Sequence, residues 1–89
     1  VKTVVRTNAF LRDLRLAEKR GKDLRKLKRI IETLQQGTAL APRHCPHPLK
    51  GRWKPKWDCH IEPDWLLIYE VSETQVILSR TGTHADLFG

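Results

Sequence analysis

At 89 residues, 39% of them hydrophobic, the chain has room for one modest core and a single site on one compact domain, residues 1–89. Its 17 Lys and Arg against 10 Asp and Glu give a formal charge of +7, which favours anionic partners: nucleic acid first, an acidic protein next, a membrane surface last. No apolar run approaches the ~20 residues of a spanning helix, the opening residues lack a signal-peptide pattern, and Cys45 and Cys59 are too few for a disulfide scaffold, so a cytoplasmic protein with no membrane partner is expected.

Residues 1–7 alternate weakly and are rich in β-branched side chains, which predicts an opening strand, with Thr7 or Asn8 available to cap a helix. Phe10, Leu14 and Ala17, with Leu11 beside them, form an apolar face at helical spacing that stops at Gly21. Leu24, Leu27, Ile30, Ile31 and Leu34 predict a second amphipathic helix ending at Gly37, its other face carrying Lys22, Arg25, Lys26, Lys28 and Arg29. Residues 1–36 hold 11 basic and 4 acidic side chains, whereas residues 37–89 hold 6 of each, so the helical half is the cationic half.

Residues 37–51 contain three prolines and two glycines and read as a loop carrying His44 and His47. Three strands are predicted next, at 52–61, 64–71 and 75–81, forming an antiparallel meander. In the first, a two-residue period places Arg52, Lys54, Lys56, Asp58 and His60 on one face and Trp53, Trp57, Cys59 and Ile61 on the other. Pro55 has no amide to give a ladder, which marks this strand as an edge, bulged, or shorter than drawn. The alternation in 64–71 predicts a central strand covered on both sides.

The chemistry gathers in HPLKGRWKPKWDCHIEPDW, residues 47–65, and RTGTHADLF, residues 80–88. Imidazoles exchange protons near neutral pH, and cations beside them attract a polyanion, which points to RNA cleavage. Metal-free cleavage needs a base for the 2′-OH, an acid for the leaving 5′-oxygen and donors for the charged phosphorane. His84 and His60 are read as the acid and base, Asp64 as orienting an imidazole or sharing the base role, and His47 as a phosphate or base contact. Arg80 is the best single cation for the phosphorane, with Lys50, Arg52, Lys54 and Lys56 along the substrate and Trp65 and Phe88 as possible stacking rings. No metal or cofactor is called for. Two other classes stand beside this reading: a noncatalytic basic nucleic-acid binder, and a zinc-stabilised interaction module built on Cys45, His47, Cys59 and His60, whose spacings suit structural zinc poorly.

HPL at 47–49, the Gly51-x-Trp53 pair, DCHIEPDWLLIY at 58–69 and RTGTHADLF at 80–88 together resemble the YafQ branch of the RelE-like toxins of bacterial type II toxin–antitoxin systems. The resemblance implies a compact α+β RelE-like fold, two N-terminal helices packed on a mainly antiparallel four-stranded sheet. It implies a ribosome-dependent endoribonuclease that cuts mRNA and is neutralised by a small, partly acidic antitoxin, with operator DNA reached through their complex. The family's active-site positions correspond to His47, His60, Asp64, His84 and Phe88. Lys54-Pro55-Lys56-Trp57 departs from the family pattern of glycine, aromatic and basic residue, with charge and ring exchanged.

Overall fold

The computed structural model describes residues 1–89. Strand β1, Thr3–Arg6, ends at Thr7, whose Oγ1 accepts the backbone N–H of Phe10 at 3.1 Å and so caps helix α1, Asn8–Lys19. Gly21, at φ +78°, ends the turn after α1 in a conformation that side chains rarely adopt. Asp23 then accepts the Arg25 N–H and opens helix α2, Leu24–Gln35. Both helices bury the predicted faces: Phe10 and Ala17 from the first, Leu27, Ile30 and Leu34 from the second.

The sheet has five strands in the order β1-β5-β4-β3-β2, where β2 is His47–Pro48, β3 Trp57–Glu62, β4 Trp65–Val71 and β5 Gln75–Gly82. Only β1 with β5 is parallel. This corrects the expected four strands: His47 lies in a two-residue edge strand, opposite Asp58, within the segment read as loop. The predicted strand at 52–61 is also shorter. Gly51–Trp53 form a tight 3-10 turn, and the ladder begins at Trp57.

That turn moves Trp53 to the opposite face from the one expected. It packs with Leu49 against Leu66, Ile68 and Leu87, while Cys59, Ile61, Leu67 and Tyr69 face the helices in the main core. The central strand β4 is therefore buried on both sides, as its alternation predicted. Cys59 and His60 point to opposite faces, as adjacent strand residues must, so the four zinc-ligand candidates do not converge. Burial pushes the Cys59 thiol up to about 12, making it an inert core residue.

A third helix, α3, His84–Phe88, was not anticipated. Its start is a capping box: Thr83 Oγ1 accepts the Asp86 N–H at 3.1 Å and Asp86 accepts the Thr83 N–H at 3.0 Å. Asp86 is also paired with Arg20 of α1 at 2.6 Å, and Gly82 leaves it space, since a Cβ there would lie 3.0 Å from the Asp86 side chain. The Arg20 hydrogen bond, followed by that from Thr83, holds the Asp86 carboxyl well below the usual range. A depressed folded pKa stabilises the fold above the ordinary value of 3.8 and ceases to do so as pH falls through the lower folded value. Asp86→Ala is expected to cost about 1 kcal/mol at neutral pH, most of it from the cap because Arg20 is 40% exposed. Thermal melts should show the gap from the wild type constant down to about pH 5 and closing below about pH 4.

Candidate active site

On the face of the sheet opposite α1 and α2, two strands, a turn and α3 bring the polar groups together. His60 occupies β3, Asp64 the turn between β3 and β4, His84 the first position of α3, and His47 the edge strand β2. One oxygen, Asp64 Oδ1, accepts both the backbone N–H of His84 at 2.8 Å and its ring Nδ1–H at 2.6 Å. The backbone bond first, then the ring bond, lowers the Asp64 pKa, so the carboxylate is an acceptor only and His84 carries its proton on Nδ1. Nε2 is left facing outward on a ring whose side chain is 52% exposed.

His60 lies beside His84, their ring centroids 5.5 Å apart and edge to face. One phosphodiester can reach both. Behind His60, its backbone carbonyl accepts Nδ1–H of His44 at 2.6 Å, which ties the 3-10 turn Pro42–His44 to the β3 edge. The His44 ring serves as a strut.

His47 Nδ1 lies 3.1 Å from the Cys45 carbonyl and 2.9 Å from Asp58 Oδ1. The carbonyl can only accept, so Nδ1 carries the proton here too. Asp58 is 3% exposed, and sequence reasoning omitted it from the site although the strand alternation set it on the His60 face.

The other predicted contacts divide. Lys50, Arg52 and Lys54 are exposed on the turn that precedes β3, with Arg52 over the Trp53 ring at 5.9 Å. They do not form a strand face. Lys56 is paired with Glu70 at 3.2 Å, at the far end of the hairpin from Asp64, so its charge is matched. Arg80 donates from Nε and Nη2 to Asp13 of α1, which raises its pKa and leaves Nη1 as the nitrogen without a partner. It is a braced cation.

Trp65 is the clearest correction. It is 1% exposed, its Nε1–H donates to Thr81 Oγ1 at 3.0 Å, and Lys22 lies 5.8 Å over its ring, so no face is open to a base. Trp53 takes the place expected of it, edge to face with Phe88 at 5.5 Å. Leu87 anchors α3 in the small core, leaving Phe88 41% exposed on the site face. The Trp53 position is set by the turn at 51–53, which strand alternation did not foresee.

A small basic α+β protein, with two helices behind a mixed sheet and an imidazole–carboxylate cluster on its other face, is the class that these features define. The family model described as the bacterial toxin of type II toxin–antitoxin system, YafQ, matches residues 2–89, and the chain belongs to this family. It is 46% identical over 81 residues to the mRNA interferase toxin YafQ of Escherichia coli K12, covering 90% of this chain and 88% of that one. The toxin in the crystal structure of the E. coli DinJ-YafQ toxin–antitoxin complex superposes with a TM-score of 0.92 at 40% identity, over 99% of this chain and 98% of that one. A copper-bound mutant toxin from Helicobacter pylori superposes with a TM-score of 0.94 at 36% identity, over 99% and 100%. In the present chain no three His, Cys, Asp or Glu side chains converge closely enough to hold a metal ion.

Proposed function

We propose that the chain, acting as one toxin domain, is a ribosome-dependent endoribonuclease that cleaves mRNA by metal-independent general acid–base catalysis. The observation that carries this is the His84 ring, fixed through Nδ1 by Asp64 with Nε2 outward and His60 5.5 Å away. In the proposed reaction one of these imidazoles takes the 2′-OH proton and the other protonates the leaving 5′-oxygen, the 2′-oxygen bonding to phosphorus as the 5′-oxygen leaves. Asp64 orients His84, His47 contacts the phosphate, and Nη1 of Arg80, braced by Asp13, stabilises the phosphorane. Phe88, with Trp53 at its edge, offers a ring to a neighbouring base.

A cognate antitoxin is the proposed protein partner, supported by the DinJ complex of the E. coli relative. The unpaired cations suit a partly acidic chain that folds as it binds, and operator DNA would be reached through that complex. The work belongs in the cytoplasm, where ribosomes are; no helix is long and apolar enough to cross a membrane.

Inducible expression in bacteria, with growth and mRNA ends read together, tests the reading. Growth arrest with new mRNA 5′ ends is expected, and both should be relieved by co-expression of a small antitoxin encoded next to this gene, if one is found there. Intact mRNA during arrest would favour the noncatalytic binder. The copper-bound relative makes a chelator arm worthwhile: cleavage by purified protein on ribosomes is expected to persist in EDTA after Mg2+ sufficient to keep the ribosomes intact is supplied. Activity lost to a transition-metal-selective chelator and restored by copper or zinc would overturn the metal-independent mechanism.

A further inference from the structure

Asp58 is a buried carboxylate that the proposed reaction does not yet use. It lies on β3 on the same face as His60, and its cross-strand neighbour in the β2–β3 ladder is His47. Its Oδ1 lies 2.9 Å from His47 Nδ1, yet the approach is misaligned, and this oxygen receives no hydrogen bond. A buried acceptor without a donor is costly, and such groups concentrate where function requires them. The groups around it are His47 from β2, His60 from its own strand and His84 from α3, with Cys59 and Tyr69 behind it on the other face of the sheet.

We infer that Asp58 is a positioning residue for the cleavage reaction: its carboxylate, buried on the Nδ1 side of the His47 ring, holds that ring with Nδ1–H inward and Nε2 outward, toward the phosphate. The inference rests on the site reading proposed above. Asp58 and Asp64 then play parallel parts. Each lies beside the Nδ1 side of one histidine, but Asp64 is exposed and Asp58 is sealed beneath the cluster, where the interaction of opposite charges is less screened. Burial raises the Asp58 pKa, and the neighbouring His47, His60 and His84 oppose the rise.

The test is Asp58→Asn, with the tautomer of the His47 ring read from its 15N chemical shifts by NMR in the free protein. Loss of the carboxylate should let the Nε2–H form of the neutral ring gain population at the expense of the Nδ1–H form. In a His47→Gln background, Asp58→Asn should have no further effect on kcat/KM, whereas a purely structural Asp58 would give additive losses. An unchanged His47 tautomer overturns the inference. A changed tautomer with unaltered cleavage supports the pair and overturns the site reading on which it rests. If Asp58→Asn does not fold, the carboxyl carbon of Asp58 is followed in wild type and His47→Gln: its midpoint should rise when the imidazole is lost, and an unchanged midpoint overturns the inference.

Discussion

Replacing His84 by alanine is expected to reduce cleavage of ribosome-bound mRNA by roughly 10²- to 10⁴-fold, the usual worth of a general acid or base, while the protein remains folded. His84 is half exposed and donates to Asp64 from both ring and backbone, and alanine keeps the backbone bond. The helix start is secured independently by Thr83 and Asp86. The melting temperature should therefore change little. His60→Ala should produce a loss of the same order, and the double variant should lose less than the product of the single losses, because two groups acting in one proton-transfer sequence are not additive. Single-turnover cleavage on programmed ribosomes measures all three. A folded double variant that cuts as fast as the wild type would remove the enzyme assignment.

The second large effect expected is on binding. A chain carrying +7, with 11 of its cations in the first 36 residues, should bind ribosomes with a steep dependence on salt, because each phosphate it neutralises releases condensed counterions. For single-stranded RNA each contact contributes a slope of about −0.7 in log K against log salt. Lys50 and Lys54 are exposed, and no acidic side chain lies in ion-pair range of either, whereas Lys56 is matched by Glu70. Lys50→Gln with Lys54→Gln should thus flatten the slope by up to about 1.4 if both contact RNA phosphates, and Lys56→Gln should leave it nearly unchanged. Affinities measured at several salt concentrations on vacant and mRNA-programmed ribosomes would decide. Equal slopes for wild type and the double variant would assign the electrostatic contact to the helices, where Arg12, Arg15, Lys19, Lys28 and Arg29 lie outside any ion pair.

Both expectations depend on how much of the chain was legible in one dimension. Helix periodicity and its stop signals are local, so α1 and α2 were read with their ends and their buried faces, and α1 with its N-cap, whereas the Asp23 cap of α2 was not. The alternation in β4 likewise required only neighbouring residues, and it correctly implied a strand covered on both sides. His60, Asp64 and His84 stood out because ionisable groups are uncommon amid apolar strands, and the family motifs supplied their association.

What the sequence by itself determined, then, was the class: a basic α+β domain of the YafQ family, with imidazoles and carboxylates gathered in its two motifs. Tertiary structure alone decided which of those groups are available. Trp65 follows Asp64 directly, but its position on β4 sends it into the core, whereas Trp53, displaced by a three-residue turn, reaches the site face beside Phe88. Lys56 and Arg80 meet Glu70 and Asp13, partners 14 and 67 residues distant, and no periodicity encodes such pairings. His47 gains its carboxylate neighbour only because two residues join the edge of β3 opposite Asp58. Charge and spacing are properties of the chain, but exposure and ion pairing are set by what the fold brings into contact.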